Sequence, residues 1–146
     1  MRRALDSSRR TTPMPTYEGH GFRIERAGWG LEDGEETLTL TPADIDAALL
    51  ITAFTSPNDT IDDQELRELA ASGTPQDVVR TPVQCGEFHG YRAEYNQEGL
   101  HWRVWWLANA RTHLYVTYNS HVDYAARHDA VVDWMMQTLS VAKAAV

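Results

Sequence analysis

The sequence predicts an α+β domain built on an antiparallel sheet. Three observations carry this. Residues 87–119 hold three runs of strand-forming residues, Glu87–Tyr95, Leu100–Leu107 and Thr112–Asn119, joined by Asn96-Gln97-Glu98-Gly99 and by Asn109-Ala110-Arg111. Short polar, Gly-containing joins fold a chain back on itself, so the three runs form a meander. Thr60–Ser72 carries Ile61, Leu66, Leu69 and Ala70 at helical spacing. Asp123–Lys143 repeats that pattern with Val131 or Val132, Met135, Leu139 and Ala142.

The elements follow in chain order. Phe22 and Ile24 alternate with Arg23 and Glu25, a short strand ending at the turn-rich Ala27-Gly28-Trp29-Gly30. Glu35–Thr41 sets Thr37, Thr39 and Thr41 against Leu38 and Leu40, a strand with one polar face. Ala47–Phe54 is a short apolar run between Asp46 and Ser56-Pro57-Asn58-Asp59, which predicts a strand buried on both faces. The helix over 60–72 has Thr60 and Asp63 as a capping box, with Asp62, Asp63 and Glu65 at its positive end. Gly73 and Pro75 stop it. Asp123 is the expected N-cap of the final helix. The order is ββ-β-α-βββ-α.

In the meander, Trp102, Val104 and Trp106 face one way, and Arg103, Trp105 and Leu107 the other. Leu114, Val116 and Tyr118 likewise oppose His113, Tyr115 and Thr117. Large side chains on both faces require cover on both, either one helix per face or helices on one face and loops or a partner on the other.

At 146 residues the chain has the size of one domain, able to bury about two-thirds of its unfolded surface. Residues 16–146 are read as that domain. Residues 1–15, MRRALDSSRRTTPMP, hold four arginines and almost nothing apolar, so a disordered tail is expected. A secretory signal needs an apolar stretch after its arginines, and Leu5 alone does not make one, so the expected location is the cytoplasm. No run is long and apolar enough for a membrane helix, and no membrane partner is expected. Asn58-Asp59-Thr60 matches a glycosylation sequon but is read as a turn and cap.

Charge narrows the function classes. Thirteen basic against 21 acidic residues leave a net −8. Such a field repels phosphate, which excludes nucleic acid as the expected partner; it serves solubility or suits a basic protein. No catalytic signature is present: there is no GxSxG elbow and no phosphate-binding Gly loop. The lone Cys85 has no helix N-terminus behind it to activate the thiol. The six histidines, His20, His89, His101, His113, His121 and His128, show no ligand spacing, although His121 and His128 would lie two turns apart on an early-starting helix. No metal or other cofactor is expected.

The aromatics of the meander are the remaining signal. Tyr, Trp and Arg are the residue types enriched at binding hot spots. Tyr95, Arg103, Trp105 and Tyr118 are the candidate partner-binding residues, on a sheet face kept partly open. Cross-strand packing of the same rings is the competing reading.

Three stretches resemble the Mog1/PsbP-like fold family, including its DcrB-like bacterial members. These are FRIERAGWG (Phe22–Gly30), ALLITAF (Ala48–Phe54) before a helix, and WRVWWLANARTHLYVTYNS (Trp102–Ser120) before a closing helix. The resemblance covers most of residues 20–142 and implies an α/β/α sandwich around an antiparallel sheet. It also implies a mostly non-enzymatic role as an assembly or binding factor. No functional residue carries over. The expected function is a non-catalytic, protein-binding accessory factor of bacterial type, an immunity protein against a basic toxin being one concrete form. The alternative is a small-ligand-binding or hydrolytic protein with its pocket between the sheet and the C-terminal helix.

Overall fold

A computed structural model describes residues 16–55, 62–72, 75 and 77–142. The expected tail at 1–15, the cap Thr60, the sequon's first residues and the stop signal Gly73 lie outside them. The strands are β1 (Thr16–Gly19), β2 (Phe22–Glu25), β3 (Gly30–Asp33), β4 (Thr37–Thr41), β5 (Ala47–Thr55), β6 (Thr81–Cys85), β7 (Phe88–Gln97), β8 (Leu100–Asn109), β9 (Thr112–His121) and β10 (Ser140–Val141). Among the described residues there are two α-helices, α1 (Asp63–Ser72) and α2 (Asp129–Gln137). No helix of the described residues is long and apolar enough to cross a membrane.

Seven strands form one sheet in the order β3-β4-β5-β9-β8-β7-β6, and β1-β2-β10 form a second. Every pairing is antiparallel. After β5 the chain crosses through α1 to the far edge, then meanders back through β6, β7, β8 and β9 until β9 pairs with β5. The predicted α+β class and meander are therefore present.

The alternation read in β8 and β9 divides two cores. On the inner face, Leu38, Leu40, Leu49, Ile51, Trp105, Leu107, Leu114, Val116 and Tyr118 pack with Phe22 and Ile24 of the small sheet and with Val132, Met135 and Met136 of α2. On the outer face, Leu66 and Ala70 of α1 pack on Ala93, Val104, Trp106 and Ala108. Burial at i and i+4 is what one helix stripe supplies. Leu69, expected in that stripe, is instead exposed.

Several elements differ from expectation. β5 buries Ala47, Leu49 and Ile51 but leaves Ala48, Leu50 and Thr52 half-buried, so only one of its faces is fully covered. Among the described residues, Asp62 caps α1. Glu65 donates its N–H to Asp62 Oδ1 at 2.8 Å, and the Asp62 N–H points back at Glu65 Oε1 at 3.5 Å, a reciprocal box shifted by two residues. The predicted helix over 123–143 is broken at both ends. Val122–Tyr124 is a 3-10 turn capped by His121, whose Nδ1 accepts the Asp123 N–H at 3.1 Å. His128 then takes a non-helical conformation and meets Asp44 Oδ1 at 2.9 Å, so α2 begins only at Asp129. At the other end β2 has a free edge, and Ser140 and Val141 pair with Arg23 and Phe22 instead of continuing the helix. Leu139 is still buried as predicted, but from the turn beyond the end of α2, where its N–H donates to the Met136 carbonyl at 3.2 Å.

Candidate functional site

The inner face carries a polar row that strand pairing assembles. Glu94 pairs with Arg103 and Asn96 with His101 across β7 and β8. Arg103 pairs with Tyr118 and His101 with Ser120 across β8 and β9. Residues directly opposite on neighbouring strands have touching side chains, so six polar groups form one patch. Asp129 and Asp133, one helical turn apart on α2, come down over it.

Arg103 is 3% exposed. Its Nη2 donates to Asp133 Oδ1, its Nη1 lies 3.5 Å from Asp129 Oδ1, and its guanidinium stacks 5.0 Å over the Trp105 ring. His101 is 7% exposed. Its Nδ1 is 2.7 Å from Asn96 Oδ1, and its Nε2 is 2.8 Å from Glu94 Oε2 without the alignment of a hydrogen bond. Tyr118 is fully buried with no aligned partner for its hydroxyl. Burial pushes its phenol pKa up, and the neighbouring Ser120 hydroxyl only partly opposes this. Buried polar groups are normally satisfied. Here unpartnered atoms of His101, Arg103, Tyr118 and Asp129 gather in one place.

A cleft of about 450 Å³ opens beside this patch, between β6–β8 and α2. Arg92, Trp105, Asp133, Gln137 and Cys85 line it. Cys85 is no nucleophile there. Burial, then the Asp133 charge, push its thiol up to about 11. The neutral thiol is favoured in the folded chain, so the fold loses stability as pH rises from 9.0 through about 11. The expected result is negligible reaction with Ellman's reagent at pH 8 in the native protein and stoichiometric reaction after denaturation. Rapid native labelling would contradict this placement.

The candidate residues read from the sequence are thus divided. Arg103, Trp105 and Tyr118 come together, but as buried members of the inner face and not as an open surface. Tyr95 is on the outer face, opposite Trp102, because residues 94 and 95 point to opposite sides of one strand. Tyr95 and Trp102 stack with ring centroids 6.4 Å apart, both half-buried. Tyr115 and Leu50 are half-buried on the same outer face, and Phe54 there is 49% exposed and stacks on His113. Burial alone holds the His113 pKa below its ordinary value. His121 and His128 belong to separate elements and do not form a helical pair.

Glu94, Asn96, His101, Asp129 and Asp133 were not singled out by sequence. Their signal is faint but present: Glu94-x-Asn96 and His101-x-Arg103 are polar positions alternating with Tyr95 and Trp102 in strands, and Asp129 and Asp133 are spaced i, i+4.

No family model and no curated protein matches this sequence. Among solved structures, a protein from Bacteroides thetaiotaomicron superposes with a TM-score of 0.62 at 17% identity, over 84% of this chain and 45% of that one. The likeness is one of fold. The chain spans less than half the length of that neighbour.

Proposed function

We propose that this chain is a non-catalytic binding protein whose partner is a basic protein. The observation that carries the reading is the outer face of the sheet. The Tyr95–Trp102 stack and Tyr115 stand half-buried in the cluster that α1 joins, and on the same sheet face Leu50 is half-buried and Phe54 exposed. Rings held on a rigid sheet give large contact area at little entropic cost. Charge supplies the partner's chemistry. The chain carries a net −8, and α1, whose Leu66 and Ala70 border the rings, opens with Asp62, Asp63 and Glu65. Neutralisation of a basic toxin is one form of this role. Membership of the Mog1/PsbP-like family belongs to the same proposal, supported by a helix on each face of an antiparallel sheet.

The test is capture of a partner, then titration of the purified pair at two salt concentrations. The expected partner is basic, and its affinity falls with salt. Trp102→Ala is expected to weaken binding by roughly 30-fold, the effect of one hot-spot ring. A pair indifferent to both salt and Trp102, or no partner at all, would overturn the reading.

The cleft under α2 favours a second reading, a small-ligand protein. Arg92 and Trp105 offer a cation and a ring at its wall. A thermal shift produced by a small anion and abolished in Arg92→Met would support it.

A further inference from the structure

We propose that Glu94, His101 and Asp129 form a binding site for a divalent first-row transition-metal ion, with zinc as its representative. One ligand atom from each residue lies within 4.8 Å of the other two. One imidazole and two carboxylates are a donor set suited to zinc, cobalt or manganese, whereas calcium and magnesium prefer all-oxygen sites.

The hydrogen bonding around His101 points the same way. Asn96 Oδ1 can only accept, so the 2.7 Å contact places the ring proton on Nδ1. The Nε2 atom then faces the Glu94 carboxylate at 2.8 Å, a contact that needs a positive charge between the two atoms, either a proton on the ring or a bound metal ion. A metal ion in that place would use the Nε2 lone pair and the carboxylate as ligands. The arrangement is also how proteins orient a ligating histidine, with the far nitrogen donating to a carbonyl. His101 is 7% exposed, and its Nε2, which has no aligned hydrogen bond, faces the Glu94 carboxylate of the cluster. Asp129 Oδ1 likewise has no aligned hydrogen bond, its ion-pair contact being Arg103 Nη1 at 3.5 Å.

The charge count agrees. Glu94, Asp129 and Asp133 bring three negative charges around one contacting guanidinium, Arg103. A divalent ion would cancel the excess. Arg103 does not occupy the place of the ion. It stays hydrogen-bonded to Asp133 and stacked on Trp105, and its contact with Asp129 Oδ1 is long at 3.5 Å. The side chains of Glu94 and Asp129 are 46% and 39% exposed, which leaves both free to swing onto an ion held by the fixed imidazole.

The experiment is calorimetric titration of the chelator-stripped chain with zinc chloride, with cobalt chloride followed by its visible spectrum. The expected result is one equivalent bound and a higher melting temperature, with no shift from magnesium or calcium. Glu94→Gln and Asp129→Asn alter half-exposed groups and leave the fold intact by circular dichroism, and each is expected to weaken zinc binding tenfold or more, a loss of about 1.4 kcal/mol or more. His121→Ala changes an exposed histidine and should leave binding untouched. Absence of a saturable heat, or binding unchanged in both carboxylate variants, or binding lost with His121, each overturns the proposal.

Discussion

Gly90→Ala is expected to be among the most damaging single methyls in the described residues, costing about 3 kcal/mol or more. Gly90 pairs with Leu107 near one end of the β7–β8 ladder and with Val83 of β6 on its other side. A Cβ there would overlap the Trp106 carbonyl oxygen and crowd the carbonyl carbon at 2.9 Å. Both atoms are backbone, so no rotamer change relieves the clash. β8 is also the strand that presents Trp106 outward and Trp105 inward, so moving it disturbs both cores. Gly99→Ala is the control. Gly99 has φ +81 but open space around its Cβ position, so its cost is only the left-handed backbone, about 1 kcal/mol. Chemical denaturation of the two variants checks this. Equal losses would mean that the close approach of β7 to β8 is absent. For a domain of this size the expected drop in midpoint for Gly90→Ala is roughly 10 °C.

Arg103→Ala should be the next largest loss, also about 3 kcal/mol, and should loosen α2 in particular. Three interactions go together: the Asp133 hydrogen bond, the Asp129 contact and the stack on Trp105. The stem of Arg103 also fills inner-face volume that alanine leaves empty. The charge part is smaller than for a fully buried pair. The Asp129 and Asp133 side chains are 39% and 60% exposed, so water recovers them when the guanidinium is removed. Arg103→Met, which keeps the stem, should therefore cost about half as much. Asp133→Asn should cost under about 1 kcal/mol. Amide exchange in Asp129–Gln137 is the second readout, accelerating more in Arg103→Ala than in Asp133→Asn. If Asp133→Asn matched Arg103→Ala, the ion pair rather than packing would hold the helix.

Much of the scaffold was legible before any coordinates. The three hairpin-linked strands of the meander, the alternation of rings along β8 and β9, and the existence of α1 follow from local rules, whereas the side of Tyr95 relative to Arg103 depended on the β7–β8 register. Alternation with period 2 and turn chemistry act within a few residues, so a sequence reports them directly. Other features were illegible for a definite reason. β3 is exposed throughout and has no apolar signature, and it is a strand only because β4 offers it an edge. β10 exists because β2 offers one too, and that pairing ends α2 where helical periodicity alone would continue it. The start of α2 was likewise misplaced because Asp44, far away in sequence, holds His128 out of the helix.

The candidate site shows the same division. The sequence by itself determined that this chain is acidic, that its sheet is antiparallel, and that Arg103 and Trp105 share a face while Trp102 and Trp106 share the other. Only the tertiary structure decided which face would be sealed. It placed Arg103, Trp105 and Tyr118 beneath α2 and left Tyr95 and Trp102 half-open beside α1. It also brought Asp129 to Glu94 and His101, residues separated by 28 to 35 positions in the sequence. Strand alternation fixes the side to which a residue points, because neighbouring backbone dictates it. What lies above that side depends on a crossover and a helix start set by contacts remote in the chain, and no local pattern encodes those.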